Sequence, residues 1–178
     1  MNKVSLISLI LISVLSLLLL TGCHRSRKDN LTPMEYARQQ TTIIMDSVLK
    51  NDVDTIEDMF SQYIKDTHPK LRDEISELIN FVEGEIISYD KPDGSYGGGA
   101  RTVEGKSREL LTGAVANIKT DTGKTYKLRA EYYSINKNYP ESVGINALAI
   151  VCEDTFDQEY GYPKDGIYYI YPDRSFNN

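Results

Sequence analysis

The sequence predicts an α+β domain in which helices come first and an antiparallel sheet follows, with the helices packed on one face of the sheet. Three observations carry this reading. Apolar residues recur at helical spacing from Met34 to Val82, and after Gly84 the period shortens to that of a strand. Dense turn chemistry, Asp90-Lys91-Pro92-Asp93-Gly94, then punctuates the β-branched and aromatic stretches. Finally, Asp121-Thr122-Gly123 stands between two strand-like runs, a loop of hairpin length with glycine where positive φ is tolerated.

The elements follow in order. Thr32-Pro33-Met34-Glu35 is a helix start: threonine caps, proline takes the first turn, and the glutamate three residues on returns the hydrogen bond. Met34, Ala37, Ile44 and Val48, with Ile43 or Met45 beside them, form one apolar stripe ending near Leu49, and Asn51-Asp52 breaks it. Asp54 followed by Glu57 offers a second cap. Val53, Ile56, Met59, Phe60, Tyr63 and Ile64 then predict one short helix with a wide apolar face. A third helix begins near His68-Pro69, its core face marked by Leu71, Ile75, Leu78 and Val82 with Ile79 alongside, and Gly84 closes it. Residues 85–89 predict a strand. Residues 95–100, with Gly97-Gly98-Gly99, predict a mobile loop, and 101–106 a weak strand. The hairpin of 114–120 and 124–135 comes next, then a turn over 136–140, an apolar strand over 144–152, a polar loop over 154–165 and a last strand over 166–171.

Ahead of this domain, Lys3 precedes an almost unbroken apolar run over residues 4–20, the shape of a secretory signal. The run ends in Leu19-Leu20-Thr21-Gly22-Cys23, which resembles a bacterial lipobox. That resemblance implies cleavage between Gly22 and Cys23 and a diacylglycerol group on the Cys23 sulfur. The organisation expected is a signal peptide over 1–22, a flexible polar tether over 23–31 and one domain over 32–178. The partner expected from this is the membrane, held through lipid on Cys23, at the extracytoplasmic face of the bacterial cell membrane. Two acyl chains anchor firmly where one is marginal, so no basic patch is required.

Composition narrows the function further. The chain has 20 basic and 26 acidic residues, and removal of the leader takes only Lys3 from that balance. An acidic chain argues against nucleic acid as a partner. With Cys23 lipidated, Cys152 is the one cysteine left, so the domain is held by its core and not by a disulfide. One free cysteine and two histidines give poor material for a metal site, and no cofactor is expected.

No residue set points to catalysis. Gly97-Gly98-Gly99 lacks the lysine-serine pair and following helix of a phosphate loop. His68 precedes Pro69 at a helix start, and Cys152 ends an apolar strand, the setting of a buried thiol. Asp73-Glu74, Glu153-Asp154 and Asp157 are neighbours of the kind an acid-rich chain produces, and acid–base chemistry would need two such groups in one cleft. Tyrosine is the compositional excess, with 13 Tyr against 4 Phe and no Trp. Alternation sets Tyr126, Leu128, Ala130 and Tyr132 on one face of their strand, predicted to face inward. Small Ala147 and Ala149 on the next strand leave room beside an aromatic. A ligand pocket is therefore expected between helices and sheet, lined by Tyr126, Leu128, Tyr132, Ala147 and Ala149.

Asn51-Asp52 before Met59-Phe60-Ser61, the run Phe81-Val82-Glu83-Gly84-Glu85-Ile86-Ile87-Ser88-Tyr89, Glu131-Tyr132-Tyr133, and Gly166-Ile167-Tyr168 give the chain a further resemblance. It resembles a family of uncharacterised bacterial lipoproteins, a domain of unknown function, over nearly all of the chain after Cys23. Such families look like members of the nuclear-transport-factor-2-like superfamily. The resemblance implies a cone of helices packed into a strongly bent antiparallel sheet and transfers no catalytic residue. The expected role is a lipid-anchored ligand-binding or protein-interaction module. The alternatives are a carboxylate-based enzyme in the cone's mouth and a structural accessory subunit of an envelope complex.

Overall fold

The computed structural model describes residues 31–102, 105–153 and 167–170. Gly22, Cys23, the leader, the tether up to residue 30, the loop over 154–165 and Asp157 lie outside the described residues. Among the described residues four helices precede six strands, an α+β architecture.

Helix α1 (Pro33–Lys50) starts on the predicted capping box, with Glu35 N–H donating to Thr32 Oγ1 at 3.3 Å and Thr32 N–H donating to Glu35 Oε2 at 2.8 Å. It stops at Asn51, which takes a left-handed φ of 53° and donates to the carbonyls of Ser47 and Val48. Helix α2 (Val53–Met59) is capped by Asp52 and not by Asp54: the Asp52 carboxylate accepts from Thr55 N at 3.0 Å and from Thr55 Oγ1 at 2.7 Å. The single helix expected over Val53 to Ile64 is two. Phe60 is extended and bridges Ile145, Ser61 N–H donates to the Ile145 carbonyl at 3.0 Å, and Ser61 caps a new helix α3 (Gln62–Thr67). The apolar period runs through this point, so only the pairing with the sheet reveals the break. Helix α4 (Leu71–Asn80) buries Leu71, Ile75, Leu78 and Ile79 of the predicted stripe, and Val82, expected on the same helix, lies past its end and is half-buried.

The strands are β1 (Ile86–Ser88), β2 (Asp93–Thr102), β3 (Gly105–Thr120), β4 (Thr125–Asn136), β5 (Gly144–Cys152) and β6 (Ile167–Ile170). They form one antiparallel sheet in the order β1-β3-β4-β5-β6, and β2 pairs with β3 beyond the end of β1. The loop expected over 95–100 is thus strand: the glycine run pairs in register with β3, Gly98 opposite Leu110 and Gly99 opposite Glu109. Long β3 supplies the partner groups that the glycines could not indicate. Register shifts at 96/98, 100/101, 109/110, 115/118 and 131/132 are bulges that bend the sheet and leave it open.

Helix α1 crosses the sheet over a pair of glycines. Gly94 lies opposite Gly113 on β2 and β3. A methyl at Gly94 would overlap Ala37 Cβ and backbone of α1, and one at Gly113 would overlap the Thr41 hydroxyl. The helix therefore seats directly on backbone, and its buried residues Ala37, Thr41, Ile44, Met45 and Val48 join Leu111, Val115, Leu128, Leu148 and Ile150 in one core.

Candidate functional site

The register decides which residues share a face. On β4, Tyr126, Leu128, Ala130 and Tyr132 are buried against the helices, as alternation predicts, while Lys127 and Arg129 between them are exposed. On β5 the inward residues are Ile145, Leu148, Ile150 and Cys152. Ala147 lies opposite Glu131, and Ala149 opposite Arg129, on the outer face. The five residues expected to line one pocket are thus divided by the sheet, and that pocket is not formed by them.

The three inward members pack as core. The Tyr126 hydroxyl accepts from Glu83 N–H at 3.1 Å and its ring meets Phe81 edge-on at 6.0 Å, so it ties the end of α4 to the sheet. Burial pushes its pKa up, opposed by that hydrogen bond. Tyr132 is 2% exposed and meets Tyr36 edge-on at 6.2 Å. Its hydroxyl has no hydrogen-bond partner among the described residues. The Thr41 hydroxyl beside it lowers the phenol's pKa, yet donates its own proton to the Ala37 carbonyl at 2.8 Å and lies outside hydrogen-bond geometry with Tyr132. Burial dominates, and the Tyr132 phenol is held well above its usual range.

Concave surface lies on the other side of the sheet. A groove of 260 Å³ is lined by Asp93, Ser95, Thr112, Ala114, Lys127 and Arg129, with backbone of Gly94 and Gly113. Its floor is made of the short side chains of β2 and β3, and the long cations of β4 wall it. It continues into a concavity of 490 Å³ at the sheet edge, lined by Arg38, Asp90, Lys91, Pro92 and Ala116 and sharing Asp93 and Ala114. Arg129 sits between two alanines in register, Ala114 on β3 and Ala149 on β5. Neither reaches up beside it. The guanidinium pairs with Glu131 at 3.2 Å and remains 63% exposed, while Arg38 and Asp93 stand 3.9 Å apart at the far end. A third concavity, between the ends of α1 and α4 and strand β1, is lined mainly by Val48, Leu49, Ile79, Val82 and Ile86 and brings no set of charged side chains together.

The remaining candidates are placed as follows. His68 ends α3 and meets Glu74 of α4, Nε2 to Oε2 at 2.7 Å, a pair that joins the two helices across the Pro69 turn. Cys152 is a buried cysteine on the inward face of β5. Asp73 and Glu74 stand in the first turn of α4, where acid favours the helix dipole. Among the described residues no three His, Cys, Asp or Glu side chains gather as metal ligands. Sequence reasoning missed Glu109, a carboxylate only 5% exposed on the inward face of β3, which accepts from Ser134 Oγ at 2.6 Å. It also missed Lys127 and Arg129. Their signal was present in the same alternation that picked out Tyr126 and Tyr132, read on the opposite face.

The segment over residues 43–153 matches the family described as Domain of unknown function (DUF5104), and the chain belongs to that family. The match runs from the middle of α1 to just past β5 and includes every side chain of the outer groove except Arg38 from its edge. No curated protein matches the chain.

Proposed function

We propose that this member of the DUF5104 family is a bacterial lipoprotein anchored through Cys23 at the extracytoplasmic face of the cell membrane, and that its domain is a nuclear-transport-factor-2-like cone working as a binding or interaction module. The observation that carries the module reading is the contrast between the faces of β4. Toward the helices, Tyr126, Leu128 and Tyr132 are packed as core, and on the outer side a charged groove stands open around Arg129. A ligand would meet donors and charge there without any core rearrangement. The lipobox-like Leu19-Leu20-Thr21-Gly22-Cys23 supports the anchor, and the two acyl chains it implies suffice for firm attachment.

Metabolic labelling with a fatty acid tests the anchor: label enters the wild-type chain and not Cys23→Ala, and equal incorporation would refute it. Labelling is independent of anything the domain binds. The second reading, a carboxylate-based enzyme, gains support from Glu109, an inward carboxylate on β3 hydrogen-bonded to Ser134. Acid–base work on that pattern requires a second titrating group in the same cleft. A hydrolytic activity lost in Glu109→Gln and retained in Arg129→Gln would favour the enzyme over the module.

A further inference from the structure

The outer groove carries a sharper statement about what it takes. Over the two joined concavities the lining side chains include four cations, Arg38, Lys91, Lys127 and Arg129, and two anions, Asp90 and Asp93. The whole chain has a formal charge of −6, so this surface runs against the sign of the rest.

Within the groove the donors are not used up. Lys127 has no ion-pair partner among the described residues, and Glu131 engages one nitrogen of an Arg129 guanidinium that has five N–H donors. Lys127 and Arg129 lie two residues apart on one face of a strand, about 7 Å along it, a spacing at which both heads can close on one group. On the floor, in register with Glu131 and one row along from Arg129, the Ser95 and Thr112 hydroxyls hydrogen-bond to each other. Two hydroxyls hold two protons and that bond uses one, so one remains to donate outward. On the β3 side of Arg129 the short side chain of Ala114 keeps the approach clear.

The site thus offers a planar two-pronged donor, a point charge and a neutral hydroxyl within one concavity. A carboxylate has two oxygens and would leave part of that set unused, whereas a phosphate group can accept from all three kinds of donor. We propose that this groove is a phosphate-binding site, with Arg129 giving the bidentate contact, Lys127 the point charge and the Ser95–Thr112 pair the neutral donor. The phosphate is carried either by a soluble molecule or by a lipid headgroup. This rests on the outer face being the binding face of the module, and it adds the class of ligand.

The test is a reactivity footprint on the full-length chain in lipid nanodiscs, in which an amine-acylating reagent labels lysines and the sites are read by mass spectrometry. Lys119, exposed and lining neither concavity, is the internal reference. In phosphatidylcholine discs, inorganic phosphate is titrated against chloride at matched ionic strength. In a second arm, phosphatidylglycerol replaces phosphatidylcholine and no phosphate is added. Lys127 labelling is expected to fall several-fold in at least one arm while Lys119 labelling holds. Protection in the first arm alone identifies a soluble source, and protection in the second alone a headgroup. Arg129→Gln, at an exposed position, is expected to raise the phosphate needed for half-protection by about tenfold or more, the loss expected for a charge-assisted contact. Unchanged Lys127 reactivity in both arms, equal protection of Lys119, or full protection in Arg129→Gln would each overturn the site. None of these results bears on fatty-acid incorporation at Cys23, so failure of the site and failure of the anchor are read separately.

Discussion

The two faces of strands β3 and β4 differ in what they tolerate. Inward, Leu111, Val115, Leu128 and Tyr132 meet helices seated so close that Gly94 and Gly113 have no room for a methyl group. Outward, at the alternate positions of each strand, Thr112, Ala114, Lys127 and Arg129 bound an open groove. Volume is constrained on the first face, and charged side chains reach solvent on the second. The difference teaches where concave surface is left in this fold: the helices fill the inner face of the curled sheet, and the accessible groove lies on its back.

This comparison can be broken most decisively from the helix side. Leu78→Ala empties a fully buried site on α4 and is expected to lower stability by about 2 to 5 kcal/mol. A denaturant midpoint equal to wild type would show that α4 does not cover the sheet. Next comes Gly113→Ala, expected to cost about 1 to 3 kcal/mol through overpacking. The nearest obstruction is the Thr41 hydroxyl, so Gly113→Ala combined with Thr41→Ala should recover part of that loss in a double-mutant cycle.

A smaller effect attaches to the caps that hold α1 and α2 over the inner face. Thr32→Ala is expected to cost about 1 kcal/mol, measured by thermal melting. The same caps set an acid response. Hydrogen bonds from the Thr32 backbone and side chain pull the Glu35 carboxyl below its ordinary range, and those from the Thr55 side chain and backbone do the same to Asp52. A depressed folded-state pKa means that the stabilisation is present above the unfolded value and disappears as pH falls through the folded one. Melting temperature should therefore drop on acidification through the carboxylate range, and Glu35→Gln with Asp52→Asn should flatten that part of the curve. The smallest effect belongs to the outer face: Arg129→Ala is expected to change stability by less than about 0.5 kcal/mol, since the side chain is 63% exposed. A loss of several kcal/mol there would make the groove a structural element and erase the contrast.

Most of the fold was legible in the chain because its signals are local. A capping box needs only Thr32 and Glu35, a left-handed stop needs Asn51, and the 121–123 hairpin needs its glycine. The α4 stripe and the alternation of β4 are periodicities within single elements. Two misreadings share one cause. Nothing within Phe60-Ser61 announces a helix break, which is made by bonds to Ile145. Nor does Gly97-Gly98-Gly99 contain the hydrogen-bonding partners that make it a strand, which lie on β3.

The candidate site shows the same division. By itself the sequence determined that Tyr126, Leu128 and Tyr132 share one side of β4, that Lys127 and Arg129 share the other, and that Ala147 and Ala149 lie together on β5, because successive side chains of a strand alternate. Only the tertiary structure decided that the alanines stand with Arg129 and not with Tyr132. Which side of β5 meets which side of β4 is fixed by cross-strand register, here shifted by a bulge between Glu131 and Tyr132, and by the helices that claim one face of the sheet. Those constraints join residues distant in the chain, so a single strand's pattern carries no record of them.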